Sequence, residues 1–161
     1  MPRRLTTIGV YGFTADTFLA ALEGAGVGVV LDIRQRRGVR GAEYAWANAQ
    51  RLQRLLAGRG IGYRHLKELA PTTDMRVAQY AADAEAGESQ RTRTRLSDAF
   101  RRAYLERVLA GADLAALLGD LDPDVTGALL CVEREPAACH RSLVAERLAA
   151  EHGVAVEHLV P

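Results

Sequence analysis

Short apolar runs, rich in β-branched residues and bounded by glycine, proline or charge, recur along the chain and predict strands. Between them, apolar positions follow the spacing of amphipathic helices. The predicted strands are Thr7 to Tyr11, Val27 to Ile33, Ile61 to Leu66, Gly127 to Val132 and Val154 to Val160. The predicted helices are Asp16 to Ala25, Tyr44 to Ala57, a longer region from Met75 to Leu118, and Ala137 to His152.

This alternation of strands and helices predicts an α/β protein. Nearly continuous apolar strands are typical of parallel sheets that helices cover on both faces. We therefore expect one domain over residues 1–161, with a Rossmann-like three-layer fold of about five mostly parallel strands. A long helical crossover, roughly Lys67 to Pro123, precedes the fourth strand. Its polar middle, Glu85 to Thr94, predicts a mobile stretch, for which a lid and simple structural elaboration are both open.

The composition narrows the function classes. The chain has 161 residues, is 48% hydrophobic and carries a formal net charge of +1, so it lacks the strongly basic balance of most nucleic-acid-binding proteins. Two cysteines are too few for a secreted disulfide framework. No apolar run is long enough for a membrane helix or a signal-peptide core. We expect a cytoplasmic protein without membrane contact.

Paired polar residues end two of the predicted strands, at the sheet edge where ligands bind in such folds. Because strand side chains alternate, Asp32 and Arg34 share one side of the second strand's end, and Cys131 and Glu133 share one side of the fourth's. For Asp32 and Arg34, a structural ion pair and ligand contact are both open. An arginine at this position suits a carboxylate or phosphate.

Two stretches concentrate the positive charge. The first, in a glycine-containing loop, comprises Arg34, Arg36, Arg37 and Arg40. It is the best local indication of an anionic partner, with Arg36 as a candidate ligand contact. The second, on the long crossover, comprises Arg91, Arg93, Arg95, Arg101 and Arg102. Acidic residues lie between these arginines and reduce the net charge of the second stretch. It therefore predicts a solvated helix face, unless it lines the same cleft as the first stretch.

The fourth strand leads into a helix start. Pro136 suits a first helical turn, and Cys139, His140 and Arg141 are predicted in the first turns of the helix. Free amides and the helix dipole there favour an anion or a thiolate. His140 continues a buried stripe spaced by four residues. It is either a satisfied core histidine or a functional group at the cleft rim.

Three chemistries fit these residues. A metal site would use Cys131, Cys139 and His140, but these lack the paired spacings of zinc motifs and need a fourth ligand. A nucleophilic thiol would pair with His140, and Cys131 is the better placed, since neighbours on one helix point about 100° apart. Acid/base chemistry would use Glu133, with Asp32 as a second carboxylate. This last option needs the fewest additions.

The turn after the first strand contains Gly12, which would let a ligand approach the backbone closely. The run Gly9 to Thr14 does not have the spacing of a dinucleotide fingerprint. The sequence therefore predicts neither a bound cofactor nor a resident metal.

Three motifs together resemble the family called domain of unknown function 488: Thr7-Ile8-Gly9, Asp32-Ile33-Arg34, and Cys131-Val132-Glu133 followed by Cys139-His140-Arg141. The resemblance extends from about Thr6 to Leu159 and implies a shared fold and polar site without an established activity. Family members typically carry His-Ser where this chain has Val10-Tyr11, so no role of that histidine is carried over. The segment Arg37 to Tyr44 resembles a subgroup feature, which implies that Tyr44 lies at the cleft.

The leading hypothesis is a phosphate-bearing ligand, such as a nucleotide or a nucleic-acid end, bound by arginines. Glu133 would act as acid and base, and His140 would orient or share the proton. Contacts with the ligand are expected from Arg34, Arg141, Cys139, Gly12, Arg36 and Tyr44. One rival is a non-catalytic module that recognises a protein or nucleic acid. The other is a thiol or metal protein.

Overall fold

The computed structural model describes residues 2–161. Its strands are β1 (Arg4–Ile8), β2 (Val27–Asp32), β3 (Gly62–His65), β4 (Thr126–Leu130) and β5 (Ala155–Leu159). They form one sheet in the order β3-β2-β4-β1-β5, and every neighbouring pair is parallel. The predicted class, an α/β Rossmann-like fold with five parallel strands, is confirmed.

The helices follow the predicted order. They are α1 (Ala15–Gly24), α2 (Ala49–Ala57), α3 (Thr73–Glu85), α4 (Asp98–Arg107), α5 (Leu114–Gly119) and α6 (Arg141–His152), with 3-10 turns at Ala42–Ala47, Lys67–Leu69, Leu109–Gly111 and Pro136–Ala138. Gly153 ends α6 in the left-handed conformation, with φ 64°. None of the helices in residues 2–161 is long and apolar enough to cross a membrane.

The first strand lies earlier in the chain than its apolar run predicted. It covers Arg4–Ile8 rather than Thr7 to Tyr11. The amides of Val10 and Tyr11 both donate to the Val132 carbonyl, at 2.9 and 3.1 Å, so these buried residues form a turn against the end of β4.

The last helix begins later than predicted. Pro136–Ala138 form a 3-10 turn, which the Cys139 amide closes by donating to the Pro136 carbonyl at 3.1 Å. Cys139 itself is extended, with φ −134° and ψ 144°, and redirects the chain into α6. The prediction of a helix from Ala137 is therefore wrong, and Cys139 lies before α6 with His140 as its cap.

Two apolar cores, one on each face of the sheet, account for the continuous apolar strands. Leu130 packs into the core beneath α1 and α2, and Leu129 packs into the core beneath α3 to α6. Both side chains are fully buried, because neighbouring strand residues point to opposite faces and both faces are covered.

The crossover between β3 and β4 contains α3, α4 and α5, as its length predicted. The segment between α3 and α4, residues 86–97, contains most of the predicted polar middle and packs over the carboxyl edge of the sheet. Leu96 donates from its amide to the Ala137 carbonyl at 2.9 Å, and Arg93 donates from its side chain to the Ala138 carbonyl at 3.0 Å. This segment therefore forms a wall of the region where the strand-end residues converge.

Candidate functional site

Asp32 and Arg34, at the end of β2, form a buried ion pair. Arg34 donates two hydrogen bonds of 2.9 Å to the Asp32 carboxylate and a third of 2.9 Å to the Ala47 carbonyl. Tyr63, on the neighbouring strand, donates to the same carboxylate at 2.5 Å. All three guanidinium nitrogens of Arg34 are therefore engaged within the protein, which favours a structural ion pair over ligand contact.

Cys131 and Glu133 lie side by side after the end of β4. The Cys131 thiol donates to Glu133 Oε2 at 3.1 Å, and its sulfur is 3.5 Å from His140 Nδ1. All three side chains are buried. Cys131 is therefore the middle member of a carboxylate, thiol and imidazole array.

Cys139 also reaches His140, with its sulfur 3.7 Å from Nδ1. The helical geometry that separates neighbouring side chains does not apply, because Cys139 precedes α6. His140 Nε2 is 2.9 Å from the Ile33 carbonyl, which can only accept, so Nε2 carries a proton. Nδ1 thus faces both sulfurs, and the ligand atoms of Cys131, Cys139 and His140 lie within 4.8 Å of one another.

Burial and mutual interactions separate the pKa values of these groups. Burial and the nearby Cys139 raise the pKa of Glu133, and burial raises the pKa of Cys131 well above its usual range. Burial also opposes ionisation of Cys139, but the Cys131 hydrogen bond and the charges of His140 and Arg141 outweigh it, and the pKa of Cys139 is well below its usual range. Burial disfavours a charged His140, yet the Cys139 thiolate raises its pKa overall. Of the two thiols, Cys139 is therefore the one whose ionisation its surroundings favour.

Arg93 supplies the buried cation of the site. It donates to Glu133 Oε1 at 2.5 Å and to Asp83 Oδ2 at 2.9 Å. Gln90 donates to the same Glu133 oxygen at 3.2 Å. The interpretation of this arginine stretch as a solvated helix face is wrong for Arg93, because two carboxylates pair its charge in the interior.

Sequence reasoning missed Arg93 and Gln90 as site residues. They lie 40 and 43 positions before Glu133, on a polar segment without helical or strand periodicity. The only signal was the density of arginine around them. Such a run does not distinguish a buried cation from exposed ones, and Arg95 and Arg102 in the same stretch are indeed exposed.

Arg141 donates hydrogen bonds to the backbone of the loop that carries Glu133. Its buried guanidinium donates to the Glu133 carbonyl at 2.6 Å, the Arg134 carbonyl at 3.1 Å and Thr7 Oγ1 at 3.3 Å. These bonds join the loop after β4 to β1. All three guanidinium nitrogens of Arg141 are therefore engaged within the protein, and its expected contact with a ligand anion stays a prediction.

Two neighbouring cavities, which share five lining residues, lie beside the buried array. The inner chamber has a volume of about 40 Å³ and is lined by Cys131, Glu133 and His140 together with Arg34 and Arg93. The outer groove has a volume of about 500 Å³. Both are lined by Arg36, Arg76, Tyr80, Gln90 and Val132. The buried array therefore forms the floor of a site that opens outward.

No acidic residue is among the side chains that line the outer groove. The arginines that line it are Arg36, Arg40, Arg76 and Arg91. The predicted loop patch is therefore divided. Arg36 and Arg40 face the groove, whereas Arg37 donates to the Tyr63 hydroxyl at 3.3 Å. The long crossover adds Arg76 and Arg91, so the two arginine-rich stretches do share a cleft.

Tyr44 and Gly12 lie beside the groove, behind Tyr11. The Gly12 amide donates to the Tyr44 hydroxyl at 3.1 Å, and the Tyr11 and Tyr44 rings are 5.2 Å apart. The Arg91 guanidinium lies over both rings, at 5.1 Å from Tyr11 and 5.3 Å from Tyr44. Of the two tyrosines only Tyr11 lines the groove, so Tyr44 supports the wall. Gly12 faces Pro161 instead of either cavity.

The fold and the site define a class: parallel α/β proteins with a buried thiol, imidazole and carboxylate array beneath an arginine-lined groove. Within that class, the chain belongs to the family described as Domain of unknown function DUF488, whose family model matches residues 14–148. The match includes the ends of β2 and β4 and the start of α6, whereas Thr7-Ile8-Gly9 lies before it. No curated protein and no solved structure matches the chain significantly.

Proposed function

We propose that the outer groove binds a phosphate-bearing ligand with the size of one nucleotide, either free or at the end of a nucleic-acid chain. The observation that carries this proposal is the set of three lining arginines, Arg36, Arg40 and Arg76, that pair with no carboxylate of residues 2–161; the fourth, Arg91, pairs with Glu43 at 3.2 Å. Arg76, for example, donates its hydrogen bonds to the neutral side chains of Gln35 and Tyr80, so its charge is not paired with a carboxylate. Guanidinium groups without a carboxylate partner suit phosphate oxygens.

The shape of the groove supports a small ligand. Its volume of about 500 Å³ is in the usual range for small-molecule sites. Tyr11 and Tyr80 line it beside the arginines, which provides aromatic faces for a base. The formal net charge of +1 also argues against a long nucleic-acid track, because such a track usually needs a clearly basic surface.

Processing of the ligand would take place at the floor of the groove. Glu133 is the carboxylate of the inner chamber, and Cys131 connects it to His140 by contacts of 3.1 and 3.5 Å. We assign proton transfer to Glu133, with His140 orienting the array through the thiol. Substitution Glu133→Gln should leave ligand affinity within about twofold while stopping any conversion, which phosphorus NMR of the incubated ligand would detect.

Titration calorimetry with adenosine monophosphate tests the binding proposal. We expect adenosine, which lacks the phosphate, to bind at least about tenfold more weakly, and Arg36→Ala and Arg76→Ala each to weaken binding about 5- to 30-fold. Arg102→Ala, on the exposed part of α4, is the matched control and should have no effect. Titration with a 5′-phosphorylated oligonucleotide distinguishes the two ligand sources: tighter binding than adenosine monophosphate indicates a nucleic-acid end, and weaker binding indicates a free nucleotide. Equal affinity for adenosine and its monophosphate would contradict the proposal.

A further inference from the structure

The cluster of Cys131, Cys139 and His140 has the geometry of a metal centre. Zinc binds thiolate sulfur at about 2.3 Å and imidazole nitrogen at about 2.0 Å, so tetrahedral coordination separates the sulfur and nitrogen ligands by about 3.5 Å. The observed distances from His140 Nδ1 are 3.5 Å to the Cys131 sulfur and 3.7 Å to the Cys139 sulfur. Both sulfur-to-nitrogen separations therefore match those of one zinc ion, and the two sulfurs lie within 4.8 Å of each other.

Hydrogen bonds outside the cluster orient these ligands. The Ile33 carbonyl accepts from His140 Nε2 at 2.9 Å, which turns Nδ1 toward the sulfurs. Metal-bound histidines usually donate their other nitrogen to such an acceptor. The Arg141 amide, at the start of α6, donates to the Cys139 sulfur at 3.5 Å. Both contacts favour ligation over simple packing of two thiols and a ring.

One coordination position faces the inner chamber. Cys131 and His140 line that chamber, whose volume of about 40 Å³ exceeds the minimum that one water molecule needs. Glu133 is not among the three mutually close ligands, but its Oε2 lies 3.1 Å from the Cys131 sulfur. A carboxylate in this position can accept a hydrogen bond from a metal-bound water.

The charges balance for a divalent ion. Metal binding would release the Cys131 proton, so that two thiolates offset the charge of the ion, and Arg93 offsets that of Glu133 across 2.5 Å. Two sulfur ligands and one imidazole favour zinc over magnesium or calcium, which prefer oxygen ligands.

We infer that Cys131, Cys139 and His140 bind one zinc-type divalent cation, with a water from the inner chamber as the fourth ligand and Glu133 as the hydrogen-bond acceptor of that water. Metal binding does not depend on the proposed nucleotide site, although it would place a Lewis acid at the floor of the same groove.

Cobalt(II) titration of the chelator-stripped full-length chain tests this inference. We expect one equivalent to bind with a thiolate-to-cobalt charge-transfer band and the visible spectrum of a tetrahedral site, and zinc to displace it. Cys131→Ser and Cys139→Ser should each lower zinc affinity at least about 100-fold. His152→Ala, an exposed histidine at the end of α6, is the matched control and should bind normally. A wild-type chain that binds no cobalt would overturn the inference.

Thiol alkylation provides a second measurement on the unmodified chain, so that a misfolded variant cannot decide the outcome. Zinc should slow alkylation of both cysteines at least about tenfold, as read by peptide mass spectrometry, and magnesium should not. Equal rates with and without zinc would refute the site. Glu133→Gln should retain one equivalent of cobalt; loss of the metal would make Glu133 a ligand and refute the bound water.

These titrations contain no nucleotide, and Arg36→Ala should bind cobalt like the wild type. Failure of nucleotide binding with normal cobalt spectra would therefore reject only the proposed function. Nucleotide binding by a protein that takes up no cobalt would reject only the metal site.

Discussion

Gly9 lies where the chain leaving β1 passes closest to the loop that carries Glu133. A Cβ atom at Gly9 would stand 2.0 Å from the Glu133 carbonyl oxygen and 2.9 Å from its carbonyl carbon. That oxygen is also held by the Arg141 guanidinium at 2.6 Å. Glycine is therefore required here by a close approach of two backbone segments.

Gly9→Ala should destabilise the protein by about 3 kcal/mol, since the obstacle is backbone and cannot rotate away. Urea unfolding measures this loss, and nucleotide titration should show weakened binding as the Glu133 loop shifts. Gly24→Ala is the control, because nothing lies within 4 Å of the added carbon. If Gly9→Ala unfolds at the same urea concentration as the wild type, the backbone at Gly9 does not lie this close to the Glu133 carbonyl.

The sequence predicted which strands and helices exist, and their order along the chain, better than it predicted where each one begins and ends. Apolar runs located all five strands. The three inner strands β1, β2 and β4 contain the buried side chains, whereas the edge strands β3 and β5 are only partly buried. The predicted start of α6 was wrong because Pro136 suits a 3-10 turn as well as an α-helix, and the extended backbone of Cys139 separates that turn from α6. Thr14 caps α1 through its hydroxyl, one residue before the helix begins at Ala15.

Helices α3 and α4 are joined at the surface by Asp74 and Arg107. Arg107 donates to the Asp74 carboxylate at 2.6 Å, and with the Thr72 hydroxyl it lowers the pKa of Asp74 to about 2 from an ordinary value of 3.8. A carboxyl whose pKa is lower in the folded state stabilises the fold above its unfolded pKa, and this contribution is lost as pH falls through the folded pKa.

Asp74→Asn should therefore flatten the loss of stability between about pH 4 and pH 2. The size of the change will be small, because both side chains are exposed. Urea midpoints measured across this range for wild type and variant provide the test, with Asp120→Asn as an exposed carboxylate control. Identical pH profiles for wild type and Asp74→Asn would show that the pair does not persist in solution.

Two apolar cores, on opposite faces of the sheet, contain most of the buried apolar side chains of the protein. Leu130 belongs to the core beneath α1 and α2, and Leu148 belongs to the core beneath α3 to α6. Both are fully buried. The two cores share the sheet but have no buried side chain in common.

Leu130→Ala and Leu148→Ala should each cost about 2 to 5 kcal/mol, and the double variant should show close to the sum. Guanidinium unfolding measures all three. Val77→Ala, on an exposed position of α3, should change stability by less than about 0.5 kcal/mol. A cost below about 1 kcal/mol for either leucine would contradict its placement in a core.

The candidate site was predictable where its residues are close in the chain. Cys131, Glu133 and His140 fall on one strand end and the helix start that follows, so strand alternation and helix capping placed them together. Arg93 and Gln90 arrive from a loop without pattern, and only the packing of the long crossover over the sheet edge brings them to Glu133. The contact of Cys139 with His140 depended on an extended residue that no sequence rule signals.

The central position of β4 has a consequence for biosynthesis. Its neighbours β1 and β2 are complete by residue 32, whereas β4 begins at Thr126. Translation proceeds at about 5–20 residues per second, so a growing chain leaves two strand edges without their partner until most of it has been made. Unpaired strand edges are where chains associate with one another. The yield of this protein in cells should therefore respond to the supply of ribosome-associated chaperones, even though the finished fold needs none.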